Sequence, residues 1–102
     1  MDDRTMLELA AKAAGIEIES IIGKTLWQPD GISWNPLDDD GDALRLAVKL
    51  ECRLVVTLES GRTDCALGDE CWLAGGEVHF PDSYAATRRA IGRAAAEIGK
   101  GM

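Results

Sequence analysis

The chain has no apolar run approaching the roughly 20 residues that a membrane-spanning helix requires, and Met1-Asp2-Asp3-Arg4 lacks the basic-then-apolar order of a secretion signal. A soluble protein of the cytoplasm, with no membrane partner, is the expectation. Positive charge is scarce: 11 Lys and Arg stand against 18 Asp and Glu, a formal net charge of −7. A field of that sign repels phosphates and argues against general nucleic-acid binding. Histidine, tyrosine and phenylalanine occur once each. The three cysteines, Cys52, Cys65 and Cys71, form no disulfide framework and read as reduced thiols. What is present is 102 residues, 46% of them apolar, enough for one core and hardly for two. A chain of this size hides roughly 60 to 65% of its unfolded surface. One domain over residues 1–102 follows.

Charge is spread unevenly. Residues 1–82 carry 7 basic against 17 acidic side chains, whereas residues 83–102 carry 4 against 1. A basic segment therefore sits on an acidic body.

Hydrophobic periodicity places the elements. A helix is predicted over residues 3–14, with Thr5 and Glu8 at capping-box spacing and Gly15 as its stop. Leu7, Ala10, Ala11 and Ala14 share one face, small enough for close packing. Residues 16–22 alternate apolar with polar, as a half-wet strand does. Residues 23–37 hold Gly23, Pro29, Gly31 and Pro36 and read as an irregular arm pinned by burial of Trp27 and Trp34. A second helix starts at Asp39 or Asp40 and ends near Glu51, its N-terminus marked by Asp38, Asp39, Asp40 and Asp42. Asp42, Arg45 and Lys49 form its narrow polar stripe, so the wide apolar remainder has to be covered on two sides. Residues 53–59 are β-rich. Short strands near 63–67, 70–73 and 77–80 continue a small antiparallel meander, with Gly68 and Gly75-Gly76 as turns. Pro81-Asp82-Ser83 opens a last helix whose core face is Tyr84, Thr87, Ile91, Ala94, Ala95 and Ile98, with Gly99 and Gly101 fraying its end.

Three stretches carry a family likeness: Leu7-Glu-Leu-Ala-Ala-Lys-Ala-Ala-Gly-Ile16, Trp34-Asn-Pro-Leu-Asp-Asp-Asp-Gly-Asp-Ala-Leu-Arg-Leu-Ala-Val-Lys-Leu50, and Arg88-Arg-Ala-Ile-Gly-Arg-Ala-Ala-Ala-Glu-Ile-Gly-Lys100. With these the chain resembles the phage ABA sandwich domain, a group of small tailed-phage and prophage proteins. The block from Trp34 to the Gly41-Asp-Ala-Leu-Arg-Leu46 helix is its most specific part. The resemblance implies an α+β fold, a three-layer α/β/α sandwich with a small antiparallel sheet flanked by helices. It also implies a phage or prophage origin, and brings no activity or ligand set with it. It does not extend to residues 51–78.

Candidate sites are few. His79, between Val78 and Phe80, has no local acid or nucleophile beside it, and no nucleophile elbow, phosphate loop or dinucleotide fingerprint occurs. The expectation is that the protein is not an enzyme and takes no cofactor. Cys52, Cys65, Cys71 and His79 sum to a zinc-like set, but 12, 5 and 7 intervening residues are not the close pairs that zinc sites use, so no metal site is expected. Asp38-Asp39-Asp40-Gly41-Asp42 has the look of a calcium loop, yet Lys49 falls where the bidentate acid belongs, and helix capping accounts for the acids. Trp27, Trp34 and Asn35 could wall a pocket for a planar ligand, against the plainer reading that the indoles anchor the arm. Arg89, Arg93 and Lys100 lie within about 40° of one another on the last helix, where Arg89 and Arg93 repel. They form either a partner-binding stripe or a solvated face in which Glu97 pairs with Arg93.

The sequence thus leads to stoichiometric binding of a protein partner, of the host or the phage, or of a second copy as a homodimer. The alternative is a small-ligand protein that holds or sequesters a nucleotide-like molecule.

Overall fold

The computed structural model describes residues 2–23, 25–57, 61–67, 72–78 and 82–102. Helix α1 spans Asp3–Ala14. Its cap lies a turn earlier than the Thr5–Glu8 box: the Asp2 carboxylate accepts the Thr5 N–H at 2.7 Å. Asp2 combines a good N-cap side chain with the charge that suits a helix start, and Glu8 instead pairs with Arg4 at 3.2 Å. Gly15, at φ 70°, closes the helix in the left-handed region.

The stretch expected as an irregular arm is a small antiparallel sheet. Strands β1 (Ser20–Ile22), β2 (Thr25–Trp27) and β3 (Ser33–Trp34) pair in sequence order. Only the last three residues of the alternating run 16–22 are strand. The glycines and proline bend the chain here rather than disordering it. Gly31 at φ 84° donates to the Gln28 carbonyl, and the Asp30 carboxylate accepts the Ile32 N–H at 3.0 Å, folding residues 28–32 into a turn.

Helix α2 spans Asp40–Lys49, with Asp39 as its N-cap, accepting the Asp42 N–H at 2.8 Å. The acidic run therefore caps a helix, as its spacing implies. The expectation that α2 is covered on two sides fails. Ala43, Leu46 and Ala47 are buried, while Leu44 is 64% and Val48 69% exposed.

Strands β4 (Cys52–Thr57), β5 (Arg62–Leu67) and β6 (Trp72–Val78) form a second antiparallel meander. Gly75-Gly76 is not its turn. β6 runs straight through both glycines, and a register shift beside Cys65 and Ala66 places Cys65 opposite Gly75 but Ala66 opposite Leu73. Glycine here marks a bulge.

Helix α3 spans Ser83–Lys100, capped by Asp82, which accepts from the Tyr84 and Ala85 N–H groups. It is the shared packing element: α1 lies along it, α2 touches it, and it rests on β4, β5 and β6. The mixed α+β fold, with helices against a small antiparallel sheet, is thus as the sequence reading expected. One core joins α1, α2, α3 and the first sheet through Leu7, Ala10, Leu26, Trp34, Leu46 and Ile91. A second, beneath α3, holds Cys65, Ala90 and Ala94. Ile91, Ala94 and Ala95 are buried as predicted, whereas Tyr84 is 72% exposed. Gly99 does not fray the helix: it is buried against Leu9 of α1, and a β-carbon there would run into the Leu9 carbonyl. Among the described residues no helix is long and apolar enough to cross a membrane.

Candidate functional site

The uncovered side of α2 opens onto a cavity. Leu44 from α2, Leu54 from β4, and Tyr84, Thr87 and Ile91 from α3 line a space of about 360 Å³, with Asp40 and Arg88 also in its wall. Its position follows from the sequence. The apolar surface of α2 is wider than one neighbour can hide, and small residues bring α3 close beneath it, leaving Leu44 and Tyr84 with no partner across the gap. Tyr84 and Leu44 are among the most exposed large apolar side chains described.

Arg88 holds this wall in place. Its side chain is 16% exposed. Nε donates to the Leu37 carbonyl at 2.8 Å and Nη1 to Asp40 at 2.6 Å. One guanidinium thus ties α3 to the entry and first turn of α2, a fork geometry that lysine could not supply. The sequence reading passed over Arg88 in favour of its neighbours on the exposed stripe. Position 88 falls nearer the α2 side of α3, a distinction visible only once α2 is docked.

The expected stripe is largely engaged within the molecule. Arg89 donates to Asp3 of α1 at 2.9 Å, both half-buried, and Lys100 pairs with Glu97 at 3.1 Å. Glu97 therefore serves Lys100, one turn from the Arg93 with which the sequence paired it. Arg93 is exposed. The like-charge cost on α3 is offset by acids on the same and the neighbouring helix.

The tryptophan pocket divides. Trp34 is 5% exposed and belongs to the core. It also contributes to a second cavity of about 390 Å³ with Gln28, Asp42, Arg45 and Lys49. Trp27 is half-buried on β2 and stands apart from that lining, its buried indole N–H meeting no acceptor among the described residues. Asn35 is buried and organises the turn into α2: its N–H donates to Asp42, its Nδ2 to Asp38, and its Oδ1 accepts the Leu37 N–H, all within 3.1 Å. Those bonds occupy the groups a ligand would need. Asp42 is engaged in the same way, accepting from Asn35 and from Arg45 at 2.7 Å.

Of the zinc-like set, Cys52 and Cys65 lie on β4 and β5. Cys71 and His79 fall outside the described residues. Compared with known proteins, the chain matches no family model, no curated protein and no solved structure.

Proposed function

We propose that this is a small phage or prophage accessory protein of the bacterial cytoplasm that acts by stoichiometric binding to a protein of the host, a host-defence component being the foremost class. The observation that carries the reading is the uncovered apolar side of α2 facing Tyr84 across a cavity. Exposed apolar side chains gathered around a concavity are what a partner's anchor residue fills. Asp38, Asp39 and Asp40 are exposed at the α2 end of the same wall, and the chain carries a net charge of −7. The occupant is accordingly a segment with one or two large apolar anchors flanked by lysine or arginine. The acidic surface speeds and selects its approach, and the apolar contact holds it. The phage setting rests on the likeness in residues 7–16, 34–50 and 88–100.

The test is capture from host lysate by wild-type protein, by Leu44→Asp, by Tyr84→Asp and by Arg93→Glu. Both side chains of the cavity wall are already exposed, so these changes leave folding intact. Expected is a one-to-one complex, weakened by added salt, lost with either cavity variant and kept with Arg93→Glu. Capture indifferent to Leu44 and Tyr84, or nothing captured above background, refutes the reading.

A nucleotide-like ligand is the second reading, favoured by the cavity where Arg45 and Lys49 face Gln28 beside Trp34. Trp34 offers almost no free ring for stacking, and Arg45 already pairs with Asp42, which ranks it below the protein partner. A thermal shift with a nucleotide panel decides it: a shift lost in Lys49→Ala supports a ligand, and no shift with any member removes it.

A further inference from the structure

The pairing of β4 with β5 sets Leu54 opposite Cys65 and Cys52 opposite Leu67. Cys52 and Cys65 are therefore diagonal neighbours, two positions apart, with side chains on one face of the sheet. That face is turned toward α3. Cys65 is fully buried against Ala90 and Ala94, and half-buried Cys52 packs on the same cluster. Diagonal neighbours sit about 7 to 8 Å apart at Cα, just beyond the ordinary disulfide range. The β4–β5 pairing itself is regular, but the register break on the β6 side of Cys65 loosens the hold on β5 there, so that the strand can shift toward β4 and close that gap.

We infer that Cys52 and Cys65 form a modification site for a hydroperoxide, in which half-exposed Cys52 is the attacking sulfur and sheltered Cys65 the resolving one. The neighbouring Cys65 thiol lowers the Cys52 pKa from its ordinary value, while Cys52 and burial raise that of Cys65. The Cys52 thiolate attacks one peroxide oxygen, the S–O bond forms as O–O breaks, and the leaving oxygen departs as water after taking a proton. Cys52 is then a sulfenic acid. The Cys65 sulfur attacks it, S–S forms as S–O breaks, and the hydroxyl leaves with the Cys65 proton as a second water. Two thiols and one hydrogen peroxide yield one disulfide and two waters.

The experiment uses the full chain with Cys71→Ser, which removes the third thiol, treated with stoichiometric hydrogen peroxide. Expected is an intact mass lower by two hydrogens, a linked peptide joining Cys52 to Cys65, and full reversal by dithiothreitol. In the added Cys65→Ser variant, Cys52 stops at a sulfenic acid that dimedone traps. In the added Cys52→Ser variant, Cys65 stays a thiol. Brief alkylation of the reduced protein at neutral pH labels Cys52 at least about tenfold faster than Cys65. Two free thiols after peroxide exposure that fully oxidises glutathione overturn the inference, as does a bridge only between two chains. The linked-peptide measurement needs neither cysteine variant, so it stands even if one of them fails to fold.

Discussion

A hydrogen in place of a methyl group at position 99 decides how near α1 can lie to α3. A β-carbon there collides with the Leu9 carbonyl, a backbone atom that cannot swing aside, whereas one at Gly92 meets the Leu37 side chain at 2.9 Å, which can. Gly99→Ala is expected to cost about 2 kcal/mol or more in urea unfolding, through overpacking. Gly92→Ala should change stability by less than about 1 kcal/mol, because alanine's better helix propensity offsets the crowding. Trp27→Phe tests the indole N–H that meets no acceptor among the described residues: removing such a buried donor should leave stability within about 1 kcal/mol of wild type. At the other end of α1, the Thr5 N–H bond holds the Asp2 carboxyl below its ordinary value of 3.8. A lowered carboxyl contributes stability that is complete above its unfolded pKa and is lost as pH falls through the folded one. An acid titration of unfolding should therefore show Asp2→Asn closing its gap to wild type as the pH drops below 3.8.

Between elements, Arg88 is the joint with the most to lose. Asp40 is 73% exposed, so its ion pair is screened, while the bond from Arg88 to the Leu37 carbonyl lies deeper. Arg88→Ala should cost about 2 kcal/mol through lost packing and an orphaned carbonyl. Asp40→Ala should cost less than about 1 kcal/mol, and chemical unfolding of the two variants measures the difference. The elements differ in how readable they were. All three helices announced themselves by period and caps, because those signals are local: Gly15 and the Asp38–Asp42 run stand beside the turns they govern. The sheet of β1, β2 and β3 was hidden because Pro29 and Gly31 look the same in a hairpin turn as in a loop, and only pairing tells them apart. Gly75-Gly76 misled for the converse reason. A bulge and a turn use the same residue, and the partner strand decides which it is. The candidate cavity was half visible in the excess apolar surface of α2. Its other wall, Tyr84, shared a face with true core residues and could not be separated from them by spacing alone.

Taken whole, the molecule has ion pairs at the joints between its elements and, around one cavity, the exposed apolar side chains Leu44 and Tyr84. Arg89 and Lys100, which the sequence offers to a partner, are engaged with Asp3 and Glu97, and Arg88 with Asp40, while Leu44 and Tyr84 stay exposed. Binding should therefore respond more to an apolar wall variant than to a charge reversal at Arg93. Titration of the captured partner at two salt concentrations would separate the contributions: salt changes the rate of association, and Leu44→Asp the rate of dissociation. One further consequence follows from α3, on which α1, α2 and the second meander all rest. It is synthesised after every element it supports, so a ribosome carrying everything up to Asp82 holds strands and helices without the helix they pack against. Nascent chains stalled there should be cut freely by a protease, and become resistant only once residue 100 has cleared the exit tunnel.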